Sequence, residues 1–134
     1  MLQTFKANLD DIRQKITRIG EDLVKSNELI LLALENCDEV KFNEARNYIK
    51  NITSKTDEID NAVIKVLALY TPEARDLRQV VAYFKITNEL SRACSNTRSF
   101  IRDLLMYVKI LMSKRSMNTQ YLCKLQQLKL YAQL

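Results

Sequence analysis

Apolar residues recur three and four positions apart over stretches far longer than a strand can use. Phe5, Leu9, Ile12, Ile16, Ile19, Leu23, Ser26, Ile30 and Ala33 step alternately by four and three. That spacing traces one stripe along a helix of 3.6 residues per turn, with Ser26 its only polar member. A second stripe runs through Phe42, Ala45, Ile49, Ile52, Thr56, Ile59, Val63, Val66 and Tyr70. A third runs through Leu77, Val80, Phe84, Thr87, Leu90, Cys94, Thr97, Ile101, Leu104, Val108 and Leu111. Each stripe must be buried against another element. Three long stripes with short connections predict an all-α, antiparallel three-helix bundle over residues 1–113, with Val63 and Phe84 both in its core. Steps averaging 3.5 residues favour shallow, left-handed crossings.

The breaks between stripes carry helix-end chemistry. Asn36 is suited to a left-handed C-terminal position and Asp38 to capping the next helix. Thr53 and Ser54 are weak helix formers, but the period continues through them, so residues 39–70 read as one helix. Thr71, Pro72 and Glu73 predict the next start, with Pro72 at the first helical position and Glu73 and Asp76 near the positive end of the dipole. Gly20 and Pro72 are the only glycine and proline of the chain, so sheets and long loops have almost nothing to turn on. Gly20 lies inside the first stripe, where the missing side chain permits close approach of a neighbouring helix. Ser113 to Thr119 interrupts the pattern, and Tyr121, Leu125, Leu128 and Ala132 open a partial fourth helix within residues 114–134.

Composition excludes most catalysis. The 134 residues contain no histidine, which removes the commonest general base and metal ligand and any Ser-His-Asp or Cys-His nucleophile. One glycine cannot build a phosphate-cradling loop. Cys37, Cys94 and Cys123 show no paired spacing, and Cys94 reads as a small buried hydrophobe in a reducing compartment. No catalytic residue is assigned, and an enzyme is not expected. Asp57 and Asp60 share a helix face and, with Glu89, are weak candidates for a hard cation. A solvated acidic face, paired with Lys55 or Lys65, is the favoured reading of Asp57, Glu58 and Asp60. No stretch approaches the ~20 apolar residues of a membrane span, and residues 1–11 lack the apolar run of a secretory signal. A cytoplasmic protein is therefore expected.

The net charge of +5 is concentrated. Arg98, Arg102, Lys109, Lys114, Arg115, Lys124 and Lys129 are opposed only by Asp103, while the first 97 residues carry 14 basic and 15 acidic side chains. A solvated surface is the first reading, contact with an anionic membrane or acidic partner the second. Nucleic-acid binding is the third, and without stacked aromatics or a reading motif it is not expected.

Pro72, Ala74, Asp76, Leu77 and Arg78 stand in P-x-A-x-D-L-R spacing, which resembles the motif of the PhoU family. Val80, Val81, Lys85 and Ile86 follow, and Glu89, Leu90 and Arg92 resemble its D-L-E-R segment. Ile59 and Asp60 before the proline, Leu29 to Leu34 with Asn36, Asp38 and Glu44, and Ile19 with Gly20 fit as well, so the likeness spans roughly residues 5–104. The resemblance implies two repeated, spectrin-like three-helix bundles. This chain would hold one repeat and the start of a second, as a truncated form or an unusually short member. The motif residues are expected mainly to set bundle geometry, with Arg78 reaching a carboxylate on a neighbouring helix. The resemblance also implies a negative regulator of phosphate uptake and starvation signalling that contacts a phosphate ABC transporter and a sensor histidine kinase. Family members hold metal clusters through paired E/D-x-x-x-D motifs. Here Thr56 replaces one carboxylate beside Asp60, and Ser91 and Ser95 replace both in the next helix, so no cofactor is expected. A homodimer is expected from the apolar strip that an unfinished fourth helix leaves exposed, and a place at the inner face of the membrane from the basic quarter. A metal-binding carboxylate bundle and a nucleic-acid-binding or structural helical module are the alternatives.

Overall fold

The computed structural model describes residues 2–36 and 38–114, and among them every element is helical. The order is α1 (Leu2–Asn36), α2 (Glu39–Ile49), α3 (Ile52–Leu69) and α4 (Ala74–Lys114). These form three antiparallel rods, because α2 and α3 follow one another along the second. The residues expected to open a fourth helix, Tyr121 to Ala132, lie outside the described residues.

The first stripe packs largely as the spacing requires. Phe5, Leu9, Ile12, Ile19, Ile30 and Ala33 are buried, and Ile16 and Leu23 pack on the core at its margin. In the second rod Phe42, Ala45, Ile49, Ile52, Ile59, Val63 and Val66 are buried. Each fully buried aliphatic side chain contributes about 1.5–3 kcal/mol relative to exposure. Ser26 is fully buried, and its hydroxyl donates to the Ala45 carbonyl at 2.9 Å. The polar member of the first stripe is therefore a tie between α1 and α2. At the opposite end the Phe5 ring meets the Tyr70 ring edge-on at 5.3 Å, and the Asn8 amide donates to the Tyr70 hydroxyl at 3.3 Å.

Asp38 caps α2 as its chemistry predicts, its carboxylate accepting from the Val40 N–H at 3.0 Å. Residues 39–70 are not one helix. The rod breaks at Lys50–Asn51, where Asn51 takes φ −103° and ψ 16°, and helical bonding resumes with the Lys55 N–H donating to the Asn51 carbonyl. The stripe survives because Ile49 and Ile52 are three apart and both fully buried. Tertiary burial on both sides of the break keeps the rod's direction while local hydrogen bonding lapses. Asn, itself a poor helix former, sits at that point, two residues before the weak pair Thr53 and Ser54.

Three further expectations are corrected. Pro72 is not the first helical residue: α4 begins at Ala74, and the Leu77 N–H donates to the Glu73 carbonyl at 2.9 Å. Gly20 does not admit a close neighbour, since a Cβ built there meets nothing within 4 Å. The third stripe is rotated in its first half. Val63 is 3% exposed, as expected, but Leu77 and Phe84 are each 41% exposed. The buried line runs instead through Val80, Thr87, Cys94 and Ile101, with Tyr83, Leu90 and Leu104 packed on it. Val80, Thr87, Cys94 and Ile101 are seven residues apart, so they share one side of α4. A chain of threes and fours fits either neighbouring line equally well, and only the partner helices select one.

Candidate functional site

A groove and an ion-pair junction lie along the boundaries between the described helices, and their positions follow from the helix faces. Along the α1–α3 boundary Lys55 Nζ bonds Asp22 at 2.8 Å, with Lys15, Arg18, Glu21 and Glu58 around them. Lys55 thus ties two rods together instead of pairing within the acidic run of its own helix. Along the α1–α4 boundary lies a groove lined by Ile16, Gly20, Val24 and Leu90, with Glu21, Lys25 and Glu28 at its edge. Gly20 forms part of that groove's floor.

The P-x-A-x-D-L-R residues do not lie in the core. Asp76 is half-buried in the first turn of α4, where a negative charge is favourable near the positive helix end. Pro72 is half-buried, but Ala74, Leu77 and Arg78 are exposed. Arg78 makes no ion pair among the described residues, so the expected bond to a neighbouring helix is absent. The reason is its place on the outer side of α4, beside Leu77, Val81, Ala82 and Lys85, which together border a shallow groove of about 360 Å³. Further along, Glu89 pairs with Arg92 at 3.7 Å, both exposed, and Leu90 is half-buried against the core.

The candidate cation ligands are not gathered. Asp57 and Glu89 are exposed and Asp60 is half-buried, and no group of three carboxylates or thiols suited to a metal occurs among the described residues. Thr56 is buried and its hydroxyl bonds the Thr53 carbonyl of its own helix at 2.9 Å. Ser91 is half-buried and Ser95 exposed. These residues do not fit a hard-cation cluster, which needs several convergent charged oxygens. One Asp60 carboxylate oxygen is buried without a partner.

Cys94 is fully buried, and burial pushes its thiol above the ordinary value against the opposing pull of Arg98 one turn on. A protonated, enclosed thiol is a packing group, as its position in the stripe implies.

The arrangement is a helical bundle with its sequence motif turned partly outward. The family model described as the PhoU domain matches residues 16–104, 89 of the 134 residues. The chain belongs to the PhoU family, a regulatory, non-enzymatic family of phosphate transport. No curated protein matches the chain, and no solved structure does. No helix among the described residues is long and apolar enough to cross a membrane.

The feature that sequence reasoning missed is the exposure of apolar side chains beside the buried lines, Ile64 and Leu67 on α3 and Leu77, Val81 and Phe84 on α4. Val81 was available as a clue, because it and Phe84 extend the line from Leu77 as readily as Val80 does. Ile64 and Leu67 carried the same signal on α3, being apolar residues off the stripe.

Proposed function

We propose that this chain holds down phosphate uptake and the phosphate-starvation response by contact with a phosphate ABC transporter and a sensor histidine kinase. Membership of the PhoU family over residues 16–104 is the observation that carries this reading. The outward setting of Leu77 and Arg78 supports it, since motif residues on a surface are free to meet a partner. The action is recognition by helix faces, without turnover. Self-association belongs to the same reading: Val24, Leu31, Phe100 and Tyr107 remain exposed on α1 and α4 and offer apolar area to a second copy. A place at the inner membrane face rests on the basic quarter, of which Arg115, Lys124 and Lys129 lie outside the described residues.

The test is a phosphate-starvation promoter reporter in cells lacking their own regulator of this family. Expression of the chain in phosphate-replete medium lowers reporter output. Output unchanged at verified protein levels refutes the proposal. Light scattering across a concentration series reads the dimer separately, and a clean monomer at high concentration removes that part alone.

A further inference from the structure

α4 carries a second apolar line beside its buried one. Leu90, Ala93, Phe100, Leu104 and Tyr107 follow one another by three, four or seven positions and so share a side. Leu90 faces α1 across the groove it shares with Gly20, Val24 and Glu28, which fixes the side of the whole line. On α1, Leu31 and Glu35 follow Val24 and Glu28 by seven residues and continue the same side. The first and third rods of an antiparallel bundle run in one direction, so Phe100, ten residues on from Leu90, stands level with the Leu31 turn. The outer α1–α4 face above Gly20 is thus walled by Val24 and Leu31 on one helix and by Phe100 and Tyr107 on the other. They are 56%, 62%, 49% and 42% exposed.

Charge separates the two flanks of α4. Arg102 and Lys109, one and eight positions after the buried Ile101, fall about 80–100° round the helix on the side away from α1, whereas Phe100, one position before it, falls on the α1 side. The rim that α1 gives to this face carries Glu21, Glu28 and Glu35, seven residues apart, in one exposed row. Glu28 and Glu35 make no ion pair with a described residue. Lys25, at the lower edge, holds its ammonium over the Tyr48 ring of α2 at 5.8 Å. The rim on α4 carries Glu89 and Asp103, which pair with Arg92 at 3.7 Å and Arg102 at 3.6 Å on their own helix.

Residues 115–134 of the same chain match this face in pattern, charge and reach. Tyr121, Leu125, Leu128 and Ala132 repeat at four, three and four. Lys124, just before Leu125, and Lys129, just after Leu128, flank that line on opposite sides, and Arg115 is the segment's only other charge. Residues 115–120 have a length within the roughly two to eight that join neighbouring helices of a bundle. Residues 121–132 as a helix measure about 18 Å, against about 21 Å from Lys114 back to Phe100. We propose that residues 121–132 dock as a helix, antiparallel to α4, on the outer α1–α4 face of their own chain. The apolar line covers Leu31, Phe100 and Tyr107, and Lys129 turns toward Glu28 and Glu35.

Charge and tether select this occupant. A second copy laid face to face sets the glutamate row against itself, and an anionic bilayer meets the same row, so both are opposed. The short tether gives the segment an effective concentration on the order of millimolar. A second copy gains these side chains only when the segment leaves them, so self-association through this face takes the form of segment exchange. The inference does not depend on the phosphate reading.

The experiment is hydrogen exchange read by mass spectrometry on the full chain, at a concentration where light scattering reads a monomer. Amides of 121–132 should exchange at least about tenfold more slowly than in a synthetic peptide of the same residues. E28K/E35K should lower that protection about fivefold, and adding K129E should restore it. L31D should lower it by a similar factor, with circular dichroism showing the bundle intact in every variant. Exchange at the free-peptide rate overturns the proposal, as does protection that E28K/E35K and L31D leave unchanged. Protection seen only where light scattering reads a dimer assigns the segment to a second copy and overturns docking within one chain. Protection seen only with phosphatidylserine vesicles assigns it to a membrane and overturns the proposal as well.

Discussion

Ile59 and Ile64 are the same residue type, five positions apart on α3, and the fold treats them oppositely. Ile59 is fully buried and Ile64 is 60% exposed. Truncating Ile59 to alanine removes three carbon groups from the core at about 0.8 kcal/mol each, or ~2.4 kcal/mol of transfer energy. The cavity left behind raises the total to about 3–4 kcal/mol. At Ile64 the same truncation loses only the covered part, about 1 kcal/mol at most. Alanine's better helix propensity returns a few tenths of a kcal/mol, leaving a net cost near 0.5 kcal/mol. Urea denaturation followed by far-ultraviolet circular dichroism, with the slope constant between variants, reads both values. The expected gap is about 2.5–3.5 kcal/mol, or roughly 8–14 °C between the two melting temperatures at about 3–4 °C per kcal/mol. Equal costs, or a larger cost at Ile64, would refute the phasing of α3.

Gly20→Ala should stabilise the protein by about 0.5–1 kcal/mol, because the new methyl meets open space and the backbone of α1 loses its most flexible residue; a loss of stability in the same urea titration would show that α4 packs closer there. Asp38→Ala should cost about 1 kcal/mol by freeing the capped Val40 N–H, and Asp38→Asn should cost less than half of that. The Cys94 thiol is raised in the folded state, so it favours folding below the ordinary cysteine range, and that contribution is lost as pH rises from that range through the higher folded value. Stability should therefore fall on the alkaline side of about pH 8.5, with a shallower fall in Cys94→Ala. A matching slope in both proteins excludes Cys94 as the source.

The periodicity of this chain determined that it would be helical, how many rods it would form, and that Asp38 would start the second. These follow from local chemistry: a three–four apolar repeat buries only as a helix stripe, and a carboxylate before a helix finds its free N–H groups. The P-x-A-x-D-L-R spacing was enough to indicate the family. Tertiary structure alone decided which of two adjacent lines on α4 would face inward, leaving Leu77 and Phe84 outside. It also joined Lys55 to Asp22 on another rod and left Gly20 beside a groove. The physical reason is common to all of these. Local sequence specifies how each helix is striped, but the side that is buried, and the polar groups that meet across rods, depend on where neighbouring helices lie, and that geometry has no signature within any one segment.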